Sequence, residues 1–339
     1  MNNKVLLVGD IHAGVNKNNP VFYKTLLDYG DWINNVCNEH SINRIIQLGD
    51  IYDNRFNISV HTMHTVCQFF DILKDKQIDI VVGNHDSYYN YDASINSLEP
   101  FKNRPNIRIH DEVTIDNDIV FAGWGVKLEN IPPCRLFFGH IDVVGYELTK
   151  GKISQHGFKG AELMKLVSGA VFTGHYHHPQ TRYYDGKPLC YTGSAYALNW
   201  NDVNDKKYIY ILDLDTLEYT KIENTISPRF INIISEEDLP MAKNNFVHIH
   251  STNRNKMEEL QEKIRIYEPI QIKTILHEKN IEELAEEATQ TLQNMVKSFT
   301  AVDMESVISD FVDRMANLSD EEKHKVKLES IKLYKEFNL

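Results

Sequence analysis

Three imidazoles, His175, His177 and His178, follow Gly174 in the stretch FTGHYHHPQT (172–181). Four more stretches gather polar side chains in the same way: Asp10 and His12 in VGDIH, Asp50 and Asp53 in LGDIYD, Asn84, His85 and Asp86 in VGNHD, and His140 in FFGH. Each trails a short apolar run, and a glycine (Gly9, Gly49, Gly83, Gly139, Gly174) directly precedes the first polar residue. Glycine there lets the backbone turn sharply and removes a side chain that would crowd an ion. Carboxylates, an amide carbonyl and neutral imidazoles suit a borderline-hard divalent ion such as manganese, iron or zinc. Two ions about 3.5–4 Å apart need a carboxylate that reaches both and terminal ligands for each. The inventory supplies both. The DxH and HxH spacings set Asp10 beside His12, and His175 beside His177, on one side of an extended segment. A lone GD or GH pair is as well explained by a satisfied core polar group. Five such units in order are not.

Functional groups of open α/β sheets gather at the carboxyl ends of strands, so the scaffold is the next question. VLLVGD (5–10), RIIQLGD (44–50), IDIVVGNHD (78–86), RLFFGH (135–140) and AVFTGH (170–175) read as strands. Between them, helical periodicity covers 21–40, 60–75 and a segment near 160–167. Residues 107–121 read as two short strands around Asp116-Asn117. Those at 181–192 and 207–223 alternate and turn on Asp185-Gly186 and Asp213–Thr216, which favours antiparallel pairing. The fold class expected is α/β, a layered core of two β-sheets flanked by helices. The helix from 60 carries Met63, Val66, Phe69, Phe70 and Leu73, as a core face or as a symmetric contact between two copies; core is the preferred reading.

After Pro228 and the polar run EEDLP (236–240) the texture changes. NFVHIH (245–250) and IQIKTIL (270–276) flank a helix over 255–267, a small α+β module. From 278 on the chain reads as helices, with Ser319 and Glu322 as a capping box. The domains expected are therefore 1–228, 229–277 and 278–339. Val307, Ile308, Phe311, Val312, Met315, Val326, Ile331 and Tyr334 would give the tail an apolar face, for a partner's groove or for packing back on the module.

Composition narrows the class. The 339 residues are 42% hydrophobic, and no apolar stretch of 18 residues argues for a membrane span. MNNKVLLVGD is too short for a secretory signal. Cys37, Cys67, Cys134 and Cys190 form no CxxC pair, the usage of a reducing compartment, so any metal is held by oxygen and nitrogen. A cytoplasmic protein is expected. The net charge of −12 counts against nucleic acid on charge alone. A carboxylate site, however, becomes less negative once loaded. The tail at 278–339, with 14 acidic and 8 basic side chains, holds −6 of the total.

DIHAG (10–14), GDIYD (49–53), GNHD (83–86), GH (139–140) and GHYH (174–177) together resemble the ordered motifs of the calcineurin-like metallophosphoesterases. Within that superfamily, the length, YTGSAYALNWND (191–202), the α+β module and the helical tail resemble the nuclease subunit of double-strand-break repair and recombination complexes. The version encoded by tailed bacteriophages is the nearest likeness, which would place the protein in the host cell cytoplasm. The motifs cover residues 1–200; beyond them the resemblance is architectural.

The resemblance implies two divalent ions, with manganese supporting activity. One ion would take Asp10, His12 and His177, the other Asn84, His140 and His175, with Asp50 bridging. His85 would act at the transition state, oriented by Asp86. Homodimers are implied too, as is an ABC-type ATPase partner whose long coiled coil receives the helical tail. The 229–277 module would then be a capping, DNA-recognition domain. Asp53 stands where many cellular relatives carry histidine, so its catalytic role competes with substrate positioning or a contact behind the ligands. His178 could touch substrate or face solvent, and His61, His64 and His156 read as surface or structural positions.

The reaction expected is hydrolysis of DNA phosphodiesters, as exonuclease or endonuclease, on double-stranded DNA and its ends. Lys17, Arg55, Lys127, Arg182 and Lys187 are the candidate DNA contacts. The alternative is a small-substrate phosphoesterase, acting on a phosphomonoester or cyclic nucleotide at the same centre. It has little need of the C-terminal region. A scaffold protein with a decayed site is disfavoured because every expected ligand is present.

Overall fold

The computed structural model describes residues 3–277, 289, 304–315 and 318–337. The strand Lys4–Val8 shows how the layers arise. Val5 and Leu7 point into one apolar cluster, Leu6 and Val8 into another, because successive side chains of a strand face opposite ways. A slip of one residue would exchange the two faces.

The first sheet has six strands in the order Tyr219–Glu223, Tyr208–Asp213, Lys4–Val8, Arg44–Gln47, Gln77–Val81, Ile107–His110. The four from Lys4–Val8 onward run parallel, and the other two are added antiparallel. The second sheet, also of six, runs Gln180–Tyr184, Lys187–Tyr191, Val167–Gly174, Cys134–His140, Ile119–Ala122, Thr114–Asp116. Its central four are parallel and its edges antiparallel. Val5, Leu7, Ile46 and Leu48 of the first sheet meet Phe121, Leu136, Phe138 and Phe172 of the second in one buried cluster. The outer face of the first sheet packs on helices Pro20–Glu39 and Val60–Ile72. That of the second packs on helix Gly160–Leu166 through Leu163 and Met164. The layered α/β class expected is the one observed.

Local chemistry sets the helix starts. Asn19 accepts from Val21 N with Pro20 at the first helical position, and Ser59 Oγ accepts from Thr62 N, both common N-terminal solutions. In the second of these helices Val66, Phe69, Phe70 and Leu73 are buried in the core and Met63 packs against it, so those side chains are core. One expectation fails. Residues 107–121 are not one hairpin: Ile107–His110 joins the first sheet beside Gln77–Val81, and the hairpin starts at Thr114 in the second. Two short hairpins, Ser87–Tyr89 with Asp92–Asn96 and Glu147–Thr149 with Lys152–Ile153, were not expected at all.

The chain divides into two compact units, 1–232 with 240–247 and 267–271, and 233–239 with 248–266 and 272–339. Phe230–Ile233, Phe246–Ser251 and Gln271–Leu276 form a three-stranded sheet in that order, and Arg254–Lys263 is helical. In the second unit, helices Met304–Asp313 and Asp320–Phe337 bury Ile308, Val312 and Val326. Lys327 Nζ lies 2.6 Å from Asp313 Oδ2. The capping box forms: Ser319 N donates to Glu322 Oε2 at 2.8 Å, and Glu322 N to Ser319 Oγ at 3.4 Å. Of the helices expected from 278 to the end, residues 278–288, 290–303 and 316–317 lie outside the described residues, as does the Val307 side chain. No described helix is long and apolar enough to cross a membrane.

Candidate metal centre

All seven expected ligands converge where the parallel strands of both sheets end. Asp10, His12, Asp50 and His140 are buried. His12 Nε2 lies 3.0 Å from His177 Nε2, and His177 Nε2 lies 3.9 Å from Asp10 Oδ2. Asn84 Oδ1 lies 2.9 Å from His140 Nε2 and 2.8 Å from His175 Nδ1. Between the two groups stands Asp50. Its Oδ1 accepts from His85 N at 2.8 Å, and its Oδ2 lies 3.4 Å from both His12 Nε2 and His140 Nε2. Asp10, His12 and His177 can hold a metal ion; so can Asp50, His140 and His175, and so can His12, Asp50 and His85.

Proton positions decide whether these groups fit a cation. His140 Nδ1 sits 2.7 Å from the Leu48 carbonyl and His175 Nε2 sits 2.9 Å from Asp142 Oδ1. Both partners only accept, so these nitrogens carry the protons and the other nitrogen of each neutral ring presents a lone pair. With both rings neutral, as ligands must be, those lone pairs face Asn84 Oδ1, another acceptor. Asp10 Oδ1 and Asp50 Oδ2 are buried without hydrogen-bond partners. Buried acceptors converging without a donor are costly unless a cation sits among them. The donor set fits a divalent ion.

Electrostatics agree. Burial raises the Asp10 carboxyl to about 7, with Asp50 adding to the shift. Asp50 itself is held low by His140 and His12 against the opposing effect of burial. Burial disfavours the His140 cation, yet the Asp50 and Asp10 charges raise it to about 9. In the ion-free site a proton on His140 does part of what a metal would do.

The loops that carry the ligands are bent to reach them. His12, Asp50 and His175 have φ of 50°, 54° and 94°, left-handed backbone that costs non-glycine residues of order 1–3 kcal/mol each. The main chain braces it: Ile11 N and His12 N both donate to the Asp50 carbonyl, at 3.0 and 2.9 Å. Two of the glycines, Gly83 and Gly174, act differently from the expectation. A Cβ on Gly83 would stand 2.1 Å from Asp50 Oδ1, and one on Gly174 would stand 2.4 Å from Asp10 Oδ1. They make room for the neighbouring loop's ligand rather than for the ion.

His85 corrects a second expectation. Its ring is oriented by the Asp53 carbonyl, which accepts from Nδ1 at 2.6 Å, and not by Asp86. The Asp86 carboxylate is occupied with the main-chain N–H groups of Gly83, Ile51 and Tyr52, at 3.1, 3.2 and 3.0 Å. It fastens the GNHD loop to the GDIYD loop. Asp53 has a second task, since its Oδ1 lies 3.3 Å from His12 Nδ1. Burial lowers the pKa of His85.

Sequence reasoning missed Asp142 and Trp124. Asp142, two residues after His140, receives His175 Nε2 and the Tyr176 hydroxyl, each at 2.9 Å. A carboxylate so soon after a strand-end GH was the available signal. Trp124 lies 5.0 Å from His175 between ring centroids and 6.0 Å from His140; nothing in its sequence context marks it. His178 pairs with Asp205 at 3.2 Å.

The five basic candidates separate. Arg55 Nη1 donates to the carbonyl of Asn84 at 3.0 Å, directly behind a ligand. Lys17 is exposed and lines a hollow with Asp53. Lys127 is exposed before a short turn of 3₁₀ helix. Arg182 is exposed, bonded to the Gly145 carbonyl and laid over Tyr146. Lys187 does not reach the site. It begins the strand Lys187–Tyr191, whose far end leads to the centre, and its ammonium is bonded to the carbonyls of Met164 and Val167 at 2.6 and 2.7 Å. It closes the end of the helix Gly160–Leu166 instead.

Comparison with known proteins adds an independent finding. No family model matches the chain. It is 28% identical over 228 residues to exonuclease subunit 1 of Enterobacteria phage T4, which covers 63% of this chain and 65% of that protein. The chain thus spans somewhat less than two thirds of that relative's length. Among solved structures it is similar to a phosphopantetheinyl hydrolase of Mycobacterium tuberculosis, with TM-score 0.31, 11% identity and coverage of 57% of this chain and 92% of that one. It is also similar to the NAD nucleotidase of Haemophilus influenzae, with TM-score 0.38, 9% identity and coverage of 78% and 59%. Over those 228 residues the chain resembles a phage exonuclease subunit.

Proposed function

We propose that this protein is a metal-dependent DNA nuclease, exonuclease or endonuclease, the phosphodiester-cleaving subunit of a recombination and double-strand-break repair complex. The observation that carries the reading is the buried, unpartnered Asp50 Oδ2, 3.4 Å from a histidine of each cluster. One carboxylate shared by two ligand groups is what a two-ion site requires. Asp10, His12 and His177 would hold one divalent ion, Asn84, His140 and His175 the other, with Asp50 common to both and Mn2+ the ion of choice. Bound there, the ions would supply Lewis acidity, lowering the pKa of a water and neutralising charge on the phosphate.

The chain's own residues do the remainder. Asp142 and the Leu48 carbonyl fix the ring orientations of His175 and His140, as carboxylates and carbonyls behind ligating histidines do, and the Asp53 carboxylate stands 3.3 Å from His12 Nδ1. His85 keeps its Nδ1 proton on the Asp53 carbonyl, so Nε2 is the atom that faces substrate. Donating from Nε2 requires the charged ring, which a nearby anionic phosphate favours. His85 then gives a hydrogen bond or proton to the phosphate or the departing 3′ oxygen. Arg55 and Lys17 are the basic side chains best placed for the flanking phosphates, with Lys127 and Arg182 further contacts.

The name of the phage relative supports a subunit with partners. An ABC-type ATPase with a long coiled coil, a homodimer and a role in the host cytoplasm complete the reading, with 229–277 as the DNA-recognition module and 278–339 as the ATPase-binding region. The test is incubation of the purified chain and Mn2+ with a labelled duplex oligonucleotide, alongside p-nitrophenyl phosphate. Stepwise loss of nucleotides from the duplex is expected. Turnover of the small ester alone, unchanged by adding the ATPase, would make the chain a small-substrate phosphoesterase instead.

A further inference from the structure

Four of the five exposed aromatic side chains among the described residues form one row beside the metal centre: Phe56, Tyr88, Tyr89 and Tyr91, which are 72, 51, 39 and 75% exposed. Ring centroids along it are 6.0, 4.9 and 5.9 Å apart, and the last pair is stacked. Exposed aromatics are normally scattered; a contiguous set marks a contact surface. Both ends of this row lead to the site. At one end the Arg55 guanidinium lies 5.2 Å from the Phe56 ring and donates to the Asn84 carbonyl. At the other, Tyr91 lines a cavity of about 210 Å³ with Trp124 and the ligand His140.

We infer that this row is a stacking platform for unpaired nucleotides next to the scissile phosphate. Flat π-faces take any base by stacking, without reading sequence. Arg55 supplies a planar cation for the backbone between the stacked bases and the metal ligands, by phosphate contact and by stacking of its own. The cavity beyond Tyr91 is open to the ligands and floored by another aromatic ring, so it accepts a single unstacked base. A paired duplex keeps its base faces inside the helix and gains little here. A protein partner would use aromatic anchors in desolvated pockets, whereas this row is continuous with a phosphate-directed centre at both ends. The inference rests on the nuclease reading and adds that the strand is held unpaired at the cut.

The experiment measures equilibrium binding by fluorescence anisotropy, in EDTA so that no strand is cut, with labelled oligo-dT and a blunt hairpin duplex as probes. The full chain is compared with a Phe56→Ala, Tyr91→Ala double variant, whose exposed positions leave the core intact; thermal midpoint checks folding. Oligo-dT affinity should fall at least about tenfold, since each of the two stacked bases lost contributes about fivefold or more, while duplex affinity changes less than about twofold. Equal losses on both probes, no loss on oligo-dT, or no measurable oligo-dT binding by the unaltered chain would overturn the inference. Light scattering provides a second arm: a dimer that becomes a monomer in the double variant would assign the row to a second copy and also overturn it. Because binding is read without turnover, a chain that binds oligo-dT yet cuts no DNA refutes the nuclease reading and leaves the platform standing.

Discussion

Asp142 Oδ1 receives His175 Nε2 at 2.9 Å, and His175 presents its other nitrogen to Asn84. The carboxylate fixes both the tautomer and the plane of a ligand. Asp142→Ala should therefore weaken one of the two ions by about 10–100-fold and leave the other nearly unchanged. Titration of the ion-free protein with Mn2+ would show two well-separated affinities in place of the original pair. Unchanged affinities would mean that the backbone alone orients His175.

Asp53 offers a separation of roles. Asp53→Ala keeps the main-chain carbonyl that holds His85 but removes the carboxylate beside His12 Nδ1. Metal affinity should fall by about 10–100-fold, with kcat at saturating metal nearly preserved. His85→Ala should do the reverse, with metal content intact and kcat down by about 10²–10⁴-fold. Metal analysis beside steady-state rates distinguishes the two; matching phenotypes would make Asp53 and His85 a single unit.

Loading the site should release protons. In the ion-free protein His140 holds its proton up to about 9 and Asp10 titrates at about 7, whereas ligation needs both deprotonated. Apparent metal affinity should rise with pH, by about tenfold per unit for each proton displaced, and level off once His140 is neutral above about 9. Calorimetry in buffers of different ionisation enthalpy reads the released proton directly at neutral pH. Buffer-independent heats would contradict the protonation assigned to His140.

Gly174 tests the packing of the loops. A methyl group there would meet Asp10 Oδ1 at 2.4 Å and the Leu48 carbonyl at 2.3 Å. Gly174→Ala should destabilise the fold by about 1–3 kcal/mol and lower metal affinity through displacement of Asp10. A thermal midpoint and metal content like those of the unaltered protein would show that the loop can move aside.

Much of the centre was legible because ligands at strand ends are announced by local pattern. Apolar runs that stop at Gly-Asp, Gly-Asn or Gly-His fix both the strand and the exit of the side chain, and Asp10, Asp50, Asn84, His140 and His175 all follow that rule. What stayed hidden depends on residues distant in sequence. The contact of His85 with the Asp53 carbonyl spans 32 positions, and a carbonyl carries no residue type to read. Asp86 looked like a partner of its neighbour but is bonded to main chain from another loop. Lys187 looked free beside a turn, and only the pairing of its strand reveals the helix end it closes. The left-handed backbone at His12, Asp50 and His175 opposes local preference and exists because tertiary contacts enforce it.

The most direct test of the account is the number of manganese ions bound per chain, with and without the shared carboxylate. Equilibrium dialysis with metal analysis should give two ions for the unaltered protein. For Asp50→Asn it should give at most one, bound weakly, together with loss of duplex cleavage. A single ion in the unaltered chain, or two in Asp50→Asn, would contradict the claim that Asp50 joins two metal sites.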